Sequence, residues 1–244
     1  MKITLAKTAG FCFGVNRAVQ MVYDLVDSGQ RVCTLGPIIH NSQMVEELSQ
    51  KGVRVVEMPE EAQSDETLVI RSHGVGKSVY ETADKLGVKV CDATCPFVAK
   101  IHKIVEKQSS LGDTILIAGD PNHHEVIGII GHCGSDCYVF DSVEKLEDLF
   151  KSHPELAKKP ISVVSQTTFN AKKWNFAQIF LKKVYTNAKI FDTICSATST
   201  RQSEAQELAA VNDVMVVIGG RHSSNTVKLF DVCASICSHT YLIE

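Results

Sequence analysis

The sequence has no apolar run that reaches the roughly 20 residues needed to span a membrane. Its first residues, MKITLAKTAG, contain no apolar stretch of the kind that signal peptides have. Basic residues are neither in excess nor clustered, because the formal net charge is −3 and no run of Lys or Arg occurs. These absences argue against a membrane protein and against nucleic acid as a partner. We therefore expect a cytoplasmic protein that binds a small molecule.

Glycine-rich nucleotide motifs are also missing, since the sequence has neither a Walker loop nor a GxGxxG fingerprint. No linker rich in Pro, Gly or Ser divides the 244 residues, and 44% of them are hydrophobic, enough for a substantial core. Short apolar segments alternate with segments of helical periodicity, which predicts an α/β fold. Predicted strands cover residues 2–6, 53–56, 68–70, 114–118, 161–164 and 214–218, and predicted helices include 15–26, 44–50 and 96–110.

A weak internal repeat of strand, polar loop and helix runs through the chain. Its loops carry a cysteine three times, in TAGFCFGV, KVCDATCPFV and KIFDTICSAT. Other loops carry histidine, serine or threonine, as in LGPIIHN, VIRSHGV, IAGDPNHHEV, VVSQTTF and VIGGRHSSN. Loops at the carboxyl ends of parallel strands gather where ligands bind. The repeat therefore predicts three lobes around one shared site.

Nine cysteines in a chain expected in a reducing compartment favour metal or redox chemistry over disulfides. Cys12, Cys95 and Cys195 each precede a predicted helix, and a helix amino terminus favours a thiolate. Their wide spacing matches no local zinc signature. From the spacing alone, they either meet in the folded chain or are buried as small hydrophobic residues.

The remaining six cysteines provide a comparison. Two lie within apolar strands, where we expect them to pack, and four form two pairs with a zinc-like gap but no second ligand pair nearby. The first two are Cys33 and Cys91, and the pairs are Cys133 with Cys137 and Cys233 with Cys237.

Three histidines, His40, His73 and His123, end apolar segments in loops that also contain Gly, Pro or Asn. A single loop histidine is usually only solvated, but imidazoles at equivalent tips of a repeated unit can donate hydrogen bonds to an anion. Glu125 starts the next predicted helix. It either stabilises the helix dipole or, in a half-closed pocket, has a raised pKa and delivers a proton.

Two loops rich in hydroxyl groups follow predicted strands, SQTT at residues 165–168 and SSN at residues 223–225. Their side chains suit two purposes equally well. They can cap the following helices, or they can bind phosphate oxygens without any Lys or Arg.

Taken in order, GFCFGV, GPIIHN, RSHGV, DATCPFV, HHE, SQTT, ICSAT and SSN resemble the 4-hydroxy-3-methylbut-2-enyl diphosphate reductases of isoprenoid synthesis over residues 10–225. The resemblance implies three similar α/β lobes in a pseudo-threefold arrangement around a central 4Fe-4S cluster. The implied lobes are residues 14–96, residues 97–193, and residues 194–244 with 1–13. Cys12, Cys95 and Cys195 would bind the cluster and leave one iron open to substrate.

The resemblance also implies a reaction, the reductive dehydroxylation of 4-hydroxy-3-methylbut-2-enyl diphosphate to isopentenyl and dimethylallyl diphosphates. Iron would act as a Lewis acid, and a ferredoxin or flavodoxin would supply two electrons. Glu125 would donate the proton, and Thr167 would approach the allylic hydroxyl. The implied substrate-binding residues, none of them basic except for imidazole, are His40, His73, His123, Thr168, Ser223, Ser224 and Asn225.

The family continues beyond the strand that SHTYLIE resembles, into a segment that adds another serine to the diphosphate site. Because this sequence ends at Glu244, we expect a third lobe that is short of a strand and a helix. A monomer is expected, since no heptad pattern or long apolar stripe calls for a partner.

Two other interpretations stay open. A noncatalytic iron-sulfur carrier or redox sensor would keep the cysteines without needing Glu125 or Thr167. A zinc-stabilised binding module would use the same cysteines and would be colourless.

Overall fold

Apolar strands alternate with amphipathic helices in residues 2–134, 136–185 and 187–244, which the computed structural model describes. The helices are α1 (Phe13–Asp27), α2 (Ser42–Gln50), α3 (Lys77–Lys85), α4 (Pro96–Ser110), α5 (His124–Ile130), α6 (Val143–Ser152), α7 (Ala171–Val184), α8 (Ser196–Val211) and α9 (Ser224–Ala234). The strands are β1 (Arg31–Leu35), β2 (Arg54–Val56), β3 (Glu66–Ile70), β4 (Lys89–Asp92), β5 (Thr114–Ala118), β6 (Cys137–Phe140), β7 (Ile161–Ser165), β8 (Lys189–Ile190), β9 (Met215–Ile218) and β10 (Thr240–Ile243).

Among the described residues, the strands form three separate sheets in which every strand pairing is parallel, and the predicted α/β class is confirmed. The first sheet has the order β2-β1-β3-β4, and the second has the order β6-β5-β7-β8. If the four strands of each sheet are numbered 1 to 4 along the chain, both sheets have the spatial order 2-1-3-4. The internal repeat seen in the sequence is therefore a repeat of topology.

Both four-stranded sheets are covered on their two faces, as continuous apolar runs require. Every residue of β3, β5 and β7 is buried. Side chains alternate between faces along a strand. Accordingly, Leu68 and Ile70 pack in one cluster while Val69 packs in another, on the opposite face. In the second sheet, Leu116 and Ile117 divide between two clusters in the same way.

The third sheet contains only β9 and β10, and its core is small. It consists of Ala209, Val217, Cys233 and Cys237, with a few partly buried neighbours. Ile218 is 75% exposed on this sheet. The three sheets lie within the three predicted lobe ranges, whose boundaries remain a prediction.

The predicted strand at residues 2–6 is wrong. These residues have no strand partner, and Ile3 and Leu5 are more than four-fifths exposed. The chain is instead held just afterwards, where the amide N–H groups of Lys7 and Thr8 donate to Glu204 of α8. An alternating apolar pattern favours a strand, but only a neighbouring backbone ladder can make one.

Other predicted elements are found with small shifts. Helix α4 has the predicted bounds, with Pro96 at its first position. Helix α2 begins two residues earlier than predicted, because the Asn41 side chain accepts a hydrogen bond from the Met44 amide and caps the helix. In the part of the chain that the structure describes, no helix combines the length and the apolar character that crossing a membrane requires.

Candidate active site

The predicted site residues lie in loops that follow the carboxyl ends of strands from all three sheets. His40 follows β1, His73 follows β3, Cys95 follows β4, His123 follows β5, Thr167 follows β7, Cys195 follows β8 and Ser223 follows β9. Backbone hydrogen bonds join neighbouring loops. The Cys95 amide donates to the Ser72 carbonyl, and the Cys195 amide donates to the Thr167 carbonyl, each at 3.0 Å.

Cys12, Cys95 and Cys195 are the N-cap residues of α1, α4 and α8, and each is partly buried. Burial raises the pKa of the Cys95 thiol. The nearby amide N–H groups of Phe97 and Val98 oppose this effect, whereas the charges of Cys12 and Cys195 add to it. The three thiols therefore lie close enough to act on one another electrostatically, although they come from distant parts of the sequence.

Gly14 lets α1 approach the Cys95 sulfur. A Cβ atom at position 14 would lie 2.5 Å from the Cys95 Sγ, which is far too close for any real side chain. The second glycine of the GFCFGV motif, Gly14, is therefore explained by sterics, because a larger residue there would collide with the Cys95 sulfur.

The spacing of the three cysteines fits a cluster better than a single metal ion. In the described residues, only His40, His73 and His123 form a group of three or more candidate ligands with atoms within 4.8 Å of one another. Sulfurs that bind one zinc ion lie roughly 3.8 Å apart, given a Zn–S bond of about 2.3 Å. The cysteine sulfurs are spread more widely than that. An iron-sulfur cluster distributes its thiolate ligands over several irons, and partly buried thiols at helix starts suit it.

His40, His73 and His123 come together as predicted. The ring centroids of His40 and His73 are 4.6 Å apart, and the ring of His123 lies 5.9 Å and 5.5 Å from them. Burial lowers the pKa of His40 and His123 to about 4, and it lowers the pKa of His73 well below its ordinary value. All three rings are therefore neutral at physiological pH.

These rings have unused hydrogen-bonding atoms. His40 Nε2 and His73 Nδ1 are shielded from solvent and have no partner among the described residues. His123 Nδ1 accepts a hydrogen bond from the Glu125 amide at 3.1 Å. Its proton must then lie on Nε2, because a neutral imidazole has one donor and one acceptor nitrogen. The three histidine rings thus offer polar atoms that can form hydrogen bonds with a ligand.

Glu125 and Thr167 form a buried pair. The Thr167 amide donates to Glu125 Oε1 at 2.6 Å, and the Thr167 hydroxyl donates to Oε2 at 2.7 Å. Burial raises the pKa of Glu125 to about 7, even though both hydrogen bonds from Thr167 lower it. The carboxyl is therefore close to half protonated at neutral pH, which is the condition a general acid needs.

Hydroxyl groups of the second and third lobes also meet. The Thr168 hydroxyl donates to the Ser224 hydroxyl at 2.9 Å, and the Gln166 side-chain amide donates to both. Ser223 caps α9 by accepting from the Thr226 amide, so the capping interpretation holds for this residue. Asn225 lies in the first turn of α9 and is half-buried.

The loop after β9 also reaches the first lobe. A Cβ atom at Gly220 would lie 2.6 Å from the backbone oxygen of His40. The predicted convergence of histidine and hydroxyl loops therefore holds in the described structure.

Three residues near the site were missed in the sequence. His124 stacks on His40 with centroids 5.6 Å apart, and Gln166 bridges the hydroxyl groups. Arg71 is the third, and its charge acts on the buried histidines. The expectation that the loops of the predicted diphosphate site carry no basic side chain is therefore wrong. The RSHGV motif contains Arg71, but its sequence does not reveal that the side chain turns inward.

Together, the fold and the site define an α/β protein in which three cysteines cap helices and a histidine cluster lies in loops that follow strands of two sheets. Residues 3–244 match the family model described as LytB protein. A curated relative, 4-hydroxy-3-methylbut-2-enyl diphosphate reductase of Thermoanaerobacter sp. (strain X514), is 45% identical over 100% of this chain and 84% of its own length. The same enzyme of Clostridioides difficile (strain 630) is 42% identical over 100% of this chain and 86% of its own length.

Solved structures give the same result. A structure of (E)-4-hydroxy-3-methyl-but-2-enyl diphosphate reductase is 37% identical, with a TM-score of 0.72 over 99% of this chain and 85% of that one. The E-1-hydroxy-2-methyl-but-2-enyl-4-diphosphate reductase of Plasmodium falciparum is 25% identical, with a TM-score of 0.89 over 96% and 74%. This chain belongs to the LytB protein family, and the resemblance predicted from its motifs is confirmed.

Proposed function

We propose that this chain reduces 4-hydroxy-3-methylbut-2-enyl diphosphate to isopentenyl and dimethylallyl diphosphates in the cytoplasm. One observation carries the proposal: Glu125 is buried, has a pKa near 7, and is held by Thr167, whose carbonyl is bonded to the Cys195 amide. The same loop would thus hold both the proton donor and one metal ligand. Reductive loss of a hydroxyl group as water needs both.

Cys12, Cys95 and Cys195 would hold a cluster of the 4Fe-4S type. When bound, the cluster would relay two electrons from an external donor and would supply a Lewis-acidic iron for the departing hydroxyl. A ferredoxin or flavodoxin would deliver the electrons. The cysteines contribute thiolates at three helix starts, where the amide N–H groups favour the charged form.

Glu125 would protonate the hydroxyl group so that it departs as water. Its carboxyl is 2% exposed, so bulk water does not compete for the proton. The Thr167 hydroxyl lies between this carboxyl and the loop of Cys195, and it would approach the allylic oxygen. Because Thr167 donates to the carboxylate, it also limits how far burial raises the pKa.

The diphosphate would bind where the histidine and hydroxyl loops meet. His123 presents its Nε2 proton, and His40 and His73 have buried nitrogens without partners. Preorganised neutral donors in a dry pocket stabilise an anion strongly, because they need no reorganisation. The hydroxyl groups of Thr168, Ser223 and Ser224 and the amide of Asn225 would complete the subsite.

The test is anaerobic purification of the chain, followed by iron and sulfide counts and by oxidation of a reduced dye upon addition of the hydroxylated allylic diphosphate. Cluster and turnover together support the proposal. A Cys95→Ser variant should then lose iron, since one ligand is gone. A full cluster without turnover would favour a noncatalytic carrier, and a colourless zinc protein would reject the cluster assignment.

A further inference from the structure

Arg71 carries a partly buried positive charge that has no ion-pair partner among the described residues. Burial lowers the pKa of its guanidinium, and its Nε atom is shielded from solvent without a hydrogen-bond acceptor. The charge of exposed Glu57 acts in the opposite direction on that pKa. None of the ion pairs among the described residues includes Arg71. A partly buried cation without an ion-pair partner is poorly compensated, so a ligand that supplies a counter-charge is expected.

The loop after β1 is shaped around this guanidinium. Gly36 has a positive φ of 67°, and a Cβ atom there would lie 2.4 Å from Arg71 Nη1. Any other residue at position 36 would therefore be strained and would also push the guanidinium away. The same loop continues to His40, so the position of Arg71 is built into the loop that forms the histidine cluster.

Arg71 lies in the same loop as His73, and its charge acts on every histidine of the cluster. Burial is the main reason why the pKa values of His40, His73, His123 and His124 are lowered, and the charge of Arg71 lowers each of them further. The imidazoles stay neutral while one fixed cation lies beside them. Other titratable groups act on these rings too: His222 on His40, Asp120 on His123 and Glu57 on His124.

The charge of Arg71 determines which kind of ligand the histidine cluster can bind. The nitrogens of His40, His73 and His123 lie within 4.8 Å of one another, and neutral imidazoles bind transition metals well. A metal ion there would, however, be repelled by the unpaired guanidinium. An anion is attracted by it, and a guanidinium in this setting matches phosphate oxygens in charge and shape.

We infer that Arg71 is a positioning residue of the diphosphate subsite, whose partly buried guanidinium supplies the positive charge that four neutral imidazoles do not. This inference rests on the proposed function, because it assumes that the subsite binds a diphosphate. Arg71 acts on the ligand through charge and by holding the imidazole cluster in its neutral state.

The probe is inorganic pyrophosphate, whose binding to the cluster-loaded protein is measured by calorimetry together with substrate kinetics. Arg71→Met removes the charge without leaving an unpaired polar group, so the variant is expected to fold. Arg31→Met is the matched control, since Arg31 lies at the amino end of β1 in an exposed ion pair with Asp65. Iron content and circular dichroism verify that each variant is intact.

Loss of a charge-assisted contact is expected to weaken pyrophosphate binding about tenfold to a hundredfold in Arg71→Met. KM should rise to a similar extent with little change in kcat, because the diphosphate does not react. The Arg31→Met variant should bind as the wild type does. Arg71→Lys should lose less affinity than Arg71→Met, and Glu57→Gln should bind pyrophosphate more tightly.

A pH series separates this role from a merely structural one. Without the Arg71 charge, the pKa values of the four imidazoles should rise, so protonated imidazoles replace the missing cation as the pH falls. The ratio of the dissociation constants of Arg71→Met and wild type should therefore decrease from pH 6 to pH 4.5, because imidazoles with a pKa near 4 begin to be protonated only in that range. The titration of pyrophosphate itself cancels in this ratio.

The outcomes are distinct. If the wild type binds no pyrophosphate, the diphosphate subsite of the proposed function fails together with this inference. If the wild type binds and Arg71→Met binds equally well, only the role of Arg71 is overturned. If Arg71→Met loses its iron-sulfur cluster, the other two variants decide the question. Unchanged pyrophosphate affinity in both Arg71→Lys and Glu57→Gln would then overturn the role of Arg71.

Discussion

Replacing Glu125 with Gln is expected to abolish turnover and, above neutral pH, to stabilise the folded chain. The carboxyl is 2% exposed, and burial raises its pKa from 4.5 to about 7. Each pKa unit corresponds to about 1.4 kcal/mol, so ionisation of the buried group costs the folded state roughly 3 kcal/mol. Gln is neutral and has nearly the same shape. It can accept from the Thr167 amide and donate to the Thr167 hydroxyl, so both contacts survive.

The sign of the effect follows from proton linkage. Folded Glu125 binds its proton more tightly than the unfolded chain does, because its pKa is raised. The stability that this provides is fully present below pH 4.5 and is lost as the pH rises through about 7. The stability difference between Glu125→Gln and wild type should thus grow from near zero at low pH to roughly 3 kcal/mol in favour of the variant above pH 7.

The assay is anaerobic thermal unfolding of both proteins from pH 5 to pH 9, with iron content matched. Glu144→Gln is the control, because Glu144 is exposed and its pKa is lowered by its backbone amide and by Ser142. That variant should show the opposite sign. Removing a general acid should lower kcat about a hundredfold to ten-thousandfold. An identical stability profile, or turnover retained in Glu125→Gln, would refute the reasoning.

Three further changes test other parts of the site. Gly14→Ala should displace the Cys95 sulfur and reduce bound iron, whereas Gly128→Ala, whose added Cβ would make only ordinary contacts, should keep full iron by the same count. Thr167→Val removes a hydrogen bond that lowers the pKa of Glu125, so the alkaline limb of the pH–rate profile should move to higher pH; an unshifted limb contradicts the pairing. In hydrogen exchange, amides of the two-stranded sheet β9–β10 should exchange faster than those of β5, and equal protection would show that this small sheet is more stable than its core suggests.

Much of the fold could be predicted because local signals agreed with the tertiary structure. Helix α4 was predicted with its observed bounds, since Pro96 marks the first turn and Gly112 follows the last one. The buried strands β5 and β7 were visible as continuous apolar runs. The failure at residues 2–6 has the opposite cause. An apolar pattern specifies which face of a strand could be buried, but it does not provide the neighbouring strand.

The candidate site was predictable in its residues but not in its electrostatics. Ordered motifs identified the cysteines, the histidines and Glu125, and the structure brings the histidines together. The position of the Arg71 guanidinium beside Gly36 could not be predicted, because it depends on a tertiary contact between the loops after β1 and β3. A charge inside a pocket changes the pKa of every neighbouring group, but the hydrophobic periodicity of a sequence does not reveal where that charge lies.

Thr167 connects the loop of the proposed metal ligand Cys195 to the proposed proton donor Glu125. Its carbonyl accepts from the Cys195 amide, while its own amide and hydroxyl donate to Glu125. The N-cap of α8 and the buried acid are therefore separated by a single residue, although Glu125 lies in α5 and 70 positions before Cys195 in the sequence. Any movement of α8 that shifts the cysteine must also pull on the backbone that sets the pKa of the acid. Because interiors are close-packed and transmit strain, the metal ligand and the proton donor are expected to move as one unit.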